Sequence, residues 1–347
     1  MARALLTIDL DALAANWRAL ARASGAAQAG AVVKADAYGL GLAPVATTLA
    51  EAGARVFFVA LAEEGAELRQ ALGPGPEIHV FSGHMAGDAA LIAAHDLIPL
   101  LNSPQQVARH LEALPDYPFG LQLDTGMNRL GLEPHEFRSL SERVLPLGPR
   151  LLQSHLACSD ELDRTPNAVQ LKVFRDLTDG LGIPRSLAAT GGILLGPDYH
   201  FDITRPGIGV YGARPFAEAR PVVRLDLPVI QTRALARGEG AGYGFTWRAQ
   251  RDTLLATVAA GYADGILRAL SNRISLYAGE RPCPLVGRVS MDLLTIDVTD
   301  LDEVPESLGL LGPGQGVDDL ADAAGTIGYE VLTSLGARYE RNYTGGA

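Results

Sequence analysis

The sequence predicts a parallel (β/α)8 barrel, a TIM barrel, followed by a smaller, mainly β C-terminal domain. Three observations predict it. Short β-rich apolar runs recur before about residue 220, helix-like stretches separate most of them, and after Pro221 strand follows strand. The 347 residues also exceed what one hydrophobic core usually organises, so two domains are expected, residues 1–220 and 221–347.

The apolar runs of the first part lie at 32–33, 56–60, 78–81, 97–101, 119–123, 151–156, 187–190 and 203–210. Between them, residues 63–72, 104–114, 134–145 and 167–181 carry apolar side chains at helical spacing. Eight strand–helix units in roughly 200 residues match the size and order of a closed parallel barrel. A doubly wound sheet satisfies the same alternation. The later runs, at 222–227, 254–259, 274–277, 285–289 and 293–298, succeed one another as strands of a β unit do.

Composition narrows the function. Lys+Arg 29 against Asp+Glu 40 gives a net charge of −11. No basic block stands out that could neutralise phosphates or hold an anionic surface, which argues against nucleic acid and against a membrane partner. No apolar run approaches the ~20 residues needed to span a bilayer, and nothing near Met1 reads as a signal peptide. The two cysteines, Cys158 and Cys283, are far apart in sequence and fit a reduced cytoplasm. No metal is expected, and Cys158 is given no role, since a lone Cys in apolar surroundings is more often inert core.

Of the 29 basic residues only Lys34 and Lys172 are lysines, so chemistry that requires a primary amine has two candidates. Lys172 lies in a helical pattern whose apolar face is formed by Val169, Val173, Phe174, Leu177 and Leu181, and it is expected to be solvated. Lys34 follows Ala31-Val32-Val33 and precedes Ala35-Asp36-Ala37-Tyr38-Gly39-Leu40-Gly41. It therefore stands where a barrel strand opens into its C-terminal loop, the end at which barrel enzymes carry their chemistry.

The segment from Val32 to Gly41 resembles the cofactor-lysine motif of the alanine racemases. Further motifs follow in that family's order: Asp124-Thr125-Gly126-Met127-Asn128-Arg129, Ser154-His155-Leu156-Ala157, Arg205-Pro206-Gly207-Ile208-Gly209-Val210-Tyr211-Gly212 and Gly242-Tyr243-Gly244. Gly261-Tyr262-Ala263-Asp264-Gly265, Gly287-Arg288-Val289-Ser290-Met291-Asp292 and Gly328-Tyr329-Glu330 complete the set, so the resemblance covers nearly the whole chain. It implies a barrel carrying pyridoxal 5'-phosphate, interconversion of L- and D-alanine, and a head-to-tail homodimer. In that dimer the C-terminal domain contributes to the partner subunit's active site. It further implies a cytoplasmic enzyme supplying D-alanine for bacterial cell-wall peptidoglycan.

The chemistry assigns roles to these positions. The Cα proton of a free amino acid is too weakly acidic for any side chain to remove, so an electron sink is required, and pyridoxal phosphate supplies one. The resemblance implies Lys34 as the amine that holds its aldehyde and as one catalytic base, with Tyr243 as the second base on the opposite face. A phenol of ordinary pKa ~10 needs neighbouring cations or hydrogen bonds to act as a base near neutrality; His155 and Arg205 are the candidates. Arg205 resembles the partner of the cofactor's pyridine nitrogen, and a guanidinium there hardly ever surrenders its proton. His155 is expected to pack against the cofactor ring. Gly207 and Ile208 offer backbone amides to the phosphate, and Tyr38, Thr190 and Tyr329 offer hydroxyls. Arg129 is expected to contact the cofactor's phenolic oxygen and the substrate carboxylate. Met291 resembles a backbone donor to that carboxylate, and Tyr262 an aromatic ring narrowing the entrance.

Two positions depart from the pattern. Many relatives carry a lysine modified to a carbamate two residues before the Asp of the Asp-Thr-Gly-Met motif, where this chain has Gln122, so Arg129 needs another brace, such as the Gln122 amide or a bound anion. The usual Asn-Ser pair is replaced by Ala189-Thr190, which keeps a hydroxyl and loses an amide. A barrel-type pyridoxal-phosphate decarboxylase would share the cofactor lysine, but Tyr243 and Arg205 argue against it. A non-catalytic, barrel-only cofactor carrier would lack residues 221–347.

Overall fold

A computed structural model of the protein describes residues 3–161 and 163–346. It divides into two compact units, Leu13–Val210 with Pro215–Glu218, and Met1–Ala12 with Tyr211–Arg214 and Ala219–Ala347.

The first unit is the predicted barrel. Strands Ala31–Val32, Val56–Val59, Glu77–Val80, Ile98–Leu101, Gly120–Gln122, Leu152–Gln153 and Arg185–Ser186 form one parallel sheet in that order. An eighth strand, Ile203–Thr204, pairs in parallel with Gln28–Ala29. The ring closes around it, because Val32 N donates to Pro206 O at 3.1 Å and Arg205 N to Ala188 O at 2.8 Å. Every residue of Val56–Val59 and of Ile98–Leu101 is buried, since side chains of a parallel sheet meet the barrel interior on one face and a helix layer on the other. This explains why the runs read as continuously apolar. At Gly30 a Cβ would come within 2.8 Å of the Phe58 ring, so the wall is thin where that ring fills the interior.

The helices follow the sequence closely. Pro104–Ala113 is capped by the Ser103 side chain, which accepts from Gln106 N, and carries Pro at its first turn, where no N–H is missed. Pro134–Val144 likewise carries Pro in its first turn, and there the Glu136 side chain accepts from Glu133 N at 2.9 Å. The seventh strand differs, lying at Arg185–Ser186 rather than at 187–190. Thr190–Leu194 is instead a short helix, with Ile193 N bonded to Ala189 O.

The second unit is built on a 13-residue strand, Val223–Leu235. It pairs antiparallel with Thr253–Val258, Ser307–Leu311 and Leu5–Asp9. Leu5–Asp9 also runs parallel to Glu340–Thr344 and buries Leu6 and Ile8 completely. The first strand of the chain is thus part of the later β sheet, although sequence order sets it beside the barrel. The run expected at 285–289 is not a strand. Arg281–Pro284 pairs with Ser275–Ala278 instead, Leu285 makes a single bridge to Ile296, and Gly287 at φ 81° breaks the extended path.

Candidate active site

Lys34 stands immediately after the first barrel strand, at the start of a turn of unusual hand. Ala35, Asp36, Ala37 and Tyr38 are all left-handed, with φ between 51° and 58°. Such backbone costs roughly 1–2 kcal/mol per non-glycine residue, and it persists only where the surroundings over-determine it. The Glu64 carboxylate holds the start of the turn, accepting from Ala35 N at 2.7 Å, while it also caps its own helix by accepting from Ala60 N at 2.7 Å and Leu61 N at 3.2 Å. Asp36 Oδ1 accepts from Leu42 N at 2.6 Å, and Ala37 and Tyr38 are buried. The turn fixes Lys34 with its Nζ 5.8 Å from the centre of the Phe81 ring. Burial pushes the amine below its ordinary range. Arg129 and Arg205 push it further the same way, against the opposing pull of Glu64.

Arg205 is buried to 1% exposure with its charge held by neutral partners. One amino group donates to Ser186 Oγ at 2.5 Å, the other to Ser154 O at 2.7 Å and to His155 Nδ1 at 3.4 Å. Burial pulls its pKa down to about 9, still above neutrality, so the guanidinium stays charged. His155 is pushed down to about 3, by burial first and then by Arg205, Arg129 and Lys34. Its ring is therefore neutral, and because Nδ1 accepts from Arg205, the proton belongs on Nε2.

Beside these cations lie Tyr38, Thr190, Gly207 and Ile208, four of the residues expected at the phosphate. A Cβ on Gly207 would sit 2.5 Å from Tyr38 Oη, so only glycine lets this hydroxyl and the backbone meet. Thr190 Oγ1 accepts from Gly207 N at 3.0 Å and from Gly209 N at 3.4 Å. Ile208 opens the turn Ile208–Tyr211.

A cavity of this unit is lined by Lys34, Phe81, Asp124, Arg129 and His155, together with Gln122 and Gln153. Gln122 Oε1 accepts from Gln153 Nε2 at 2.6 Å, so the glutamine at the departed position is braced by a second glutamine. Arg129 is exposed, at the tip of a loop whose amides converge on one carboxylate. Asp124 Oδ1 accepts from Gly126 N, Met127 N and Asn128 N at 2.8, 3.0 and 3.2 Å. Lys172, the other amine, is 75% exposed and pairs with Asp176 at 2.6 Å. Glu64, Ser186 and Gln153 escaped the sequence reading, because each acts through a contact distant in the chain; only Asp124 lay inside a quoted motif.

The remaining candidates belong to the second unit. Tyr243 opens the turn Tyr243–Phe245 and is 69% exposed. That turn packs on Gly287 and Arg288, with a Cβ on Gly244 3.4 Å from the Arg288 guanidinium. Tyr262 and Met291 are drawn together by backbone bonds, Tyr262 N to Ser290 O and Ala263 N to Met291 O, both 3.0 Å. Tyr329 lies in the helix Gly328–Thr333, half-buried. Among the described residues, no group of three His, Cys, Asp or Glu side chains could hold a metal ion.

The first unit fits a bound pyridoxal phosphate. It supplies an amine of lowered basicity for the aldehyde, a buried donor in Arg205 that is not neutralised by a carboxylate bond, and a glycine-lined cradle for an anion.

Comparison with known proteins agrees. The family described as "Alanine racemase, N-terminal domain" matches residues 8–215, and "Alanine racemase, C-terminal domain" matches residues 222–343. The chain is 65% identical to an alanine racemase of Dinoroseobacter shibae, covering 100% of this chain and 99% of the relative. It resembles the crystal structure of alanine racemase from Bartonella henselae with covalently bound pyridoxal phosphate, at TM-score 0.94 and 36% identity over 99% of this chain and 100% of that one. The biosynthetic alanine racemase of Pseudomonas aeruginosa is similar at TM-score 0.93 and 38% identity, over 99% of this chain and 100% of that one.

Proposed function

This chain belongs to the alanine racemase family, and from that premise we propose that it interconverts L- and D-alanine by a two-base mechanism. The observation that carries the proposal is the amine of Lys34, depressed by burial and two arginines at the C-terminal end of a barrel strand. Pyridoxal phosphate, when bound, supplies the electron sink that makes the Cα proton removable.

The residues of this chain then divide the work. Lys34, neutral more readily than an exposed lysine, holds or moves the proton on one face of Cα. Tyr243 serves the other face, and its 69% exposure on its own unit leaves the hydroxyl free to enter a site completed by a second copy of the chain. Arg205, charged at neutral pH, would hold the pyridine nitrogen and keep its own proton, which would favour return of the proton to Cα. Neutral His155 flanks the ring without adding charge. The Ile208 amide and the hydroxyls of Tyr38, Thr190 and Tyr329 would hold the phosphate, with the Gly207 amide, which donates to Thr190 Oγ1, aiming that hydroxyl. Arg129 neutralises the substrate carboxylate, joined by the Met291 backbone, while Tyr262 limits the space beside Cα.

No described helix is long and apolar enough to cross a membrane. The two free cysteines fit a reducing compartment, and the proposed enzyme works in the cytoplasm as a homodimer whose D-alanine feeds the bacterial cell wall. Chiral chromatography of a panel of L-amino acids incubated with the purified protein tests the activity. L-alanine should racemise, and Lys34→Ala should lose both racemisation and the yellow absorbance of the cofactor. Borohydride reduction that fixes the cofactor on Lys172 would overturn the assignment.

A further inference from the structure

In the second unit three chain segments far apart in sequence meet at one arginine. Arg338 Nε donates to Asp264 Oδ1 at 2.6 Å and one amino group to Asp264 Oδ2 at 2.8 Å, a two-pronged bond. Its other amino group donates to Asp292 Oδ1 at 2.7 Å. Asp264 lies two residues after Tyr262, and Asp292 directly follows Met291. One planar cation thus ties together the two segments that the proposed function assigns to the substrate.

The joint is tight as well as charged. A Cβ on Gly261 would fall 2.3 Å from the Ser290 and Met291 carbonyl oxygens, so the segments already touch through their backbones. The buried Asp264 carboxylate also accepts from Gly261 N at 2.9 Å, which turns the residues before Tyr262 toward the arginine. Gly336 N donates to Asp264 O at 3.1 Å and anchors the segment that carries Arg338. Backbone bonds fix how the two segments approach. The guanidinium fixes their lateral spacing, because its three donors have a rigid angular layout that no other side chain reproduces.

We propose that Arg338 is a positioning residue for the racemisation. By holding Asp264 and Asp292 at a set separation, it fixes the gap between Tyr262 and the Met291 backbone and thereby limits the substrate side chain to about the size of a methyl group. This rests on the reading that Tyr262 and Met291 contact the substrate. Arg338 itself touches neither substrate nor cofactor; it acts through the two loops.

Two mild variants test it. Arg338→Lys keeps the charge and loses the fork, and Asp292→Asn weakens the bridge while leaving the Asp264 bond whole. In the cofactor-loaded enzyme each should raise KM for L-alanine while kcat stays within about twofold. Each should also lower the preference for alanine over serine, in kcat/KM, by roughly 5–10-fold, Arg338→Lys the more. Hydrogen exchange supplies a readout independent of turnover. The amides of Tyr262 and Ala263, which bond to Ser290 O and Met291 O, should exchange faster in both variants, with the cofactor absorbance unchanged. Should Arg338→Lys fail to fold, Asp292→Asn decides. Tyr262→Ala separates the two claims. If it relaxes the alanine preference while the folded clamp variants leave preference and amide exchange at wild-type values, the positioning role of Arg338 is wrong. If Tyr262→Ala leaves the preference unchanged, the substrate-contact reading is wrong and the proposal falls with it.

Discussion

His155 shows how a single residue takes its chemistry from distant neighbours. Its imidazole is pushed down to about 3 by burial and by Arg205, Arg129 and Lys34, none of which is adjacent in sequence. An unfolded chain takes up this proton near the ordinary histidine value of about 6.5, whereas the folded protein resists it down to about 3. As pH falls from about 6.5 toward 3 the unfolded state therefore binds more protons, and stability is lost over that window. His79, His84 and His110 are lowered in the same direction by burial and share the effect. Replacing His155 with Gln should flatten part of the fall in urea midpoint between pH 6 and pH 4. A slope equal to that of the wild type would show that the ring is not held neutral. The sequence marked His155 as a cofactor neighbour through its Ser-His-Leu-Ala motif. The cations that set its charge state were invisible there, because electrostatics depends on distance in space.

The element that presents Lys34 is the least expected feature of the barrel. Residues 34–39 follow a strand without proline, and Ala35, Ala37 and Tyr38 have no intrinsic preference for left-handed backbone; only the glycines that follow hint at a turn. Its start is held from outside by Glu64, on the helix Ala62–Leu72 that follows the second barrel strand, through the amide of Ala35, while the same carboxylate caps its own helix through the amides of Ala60 and Leu61. Glu64→Ala should leave those donors without their acceptor, at a cost of about 1–3 kcal/mol. That corresponds to a fall of roughly 2–12 °C in melting temperature for a unit of this size. Loosening of the turn should also slow incorporation of cofactor at Lys34, followed by its absorbance after mixing. A variant that melts and loads as the wild type does would show that the turn holds without Glu64. The regular elements were far more legible: the helices at Pro104 and Pro134 begin where the helical spacing of apolar residues places them. Residues 285–289 misled because an apolar run with one glycine reads as a strand, and the glycine in fact ends the extension.

For the whole molecule, the decisive prediction concerns two copies. If the proposed bases come from different subunits, Lys34→Ala and Tyr243→Phe proteins should each be nearly inactive, since every site would lack one base. Unfolded together in equal amounts and reassembled, about half the dimers should be mixed, each with one doubly damaged site and one intact site. Activity should return to roughly a quarter of the wild-type value if assembly is random and the sites are independent. No recovery, with mixed dimers seen by native mass spectrometry, would assign both bases to one subunit. The sequence by itself determined the order of strands and helices, the barrel and the change to β structure near Pro221, and it singled out Lys34 as the candidate amine. These are encoded in local periodicity, in short motifs and in the scarcity of lysine. Only the tertiary structure decided that Leu5–Asp9 joins the later sheet, that Gln153 braces Gln122, that Ser186 and Ser154 hold Arg205, and that Arg338 binds two loops at once. Each of these is a contact between residues far apart in the chain, and its energy comes from burial and from hydrogen-bond geometry that exist only once the chain has folded.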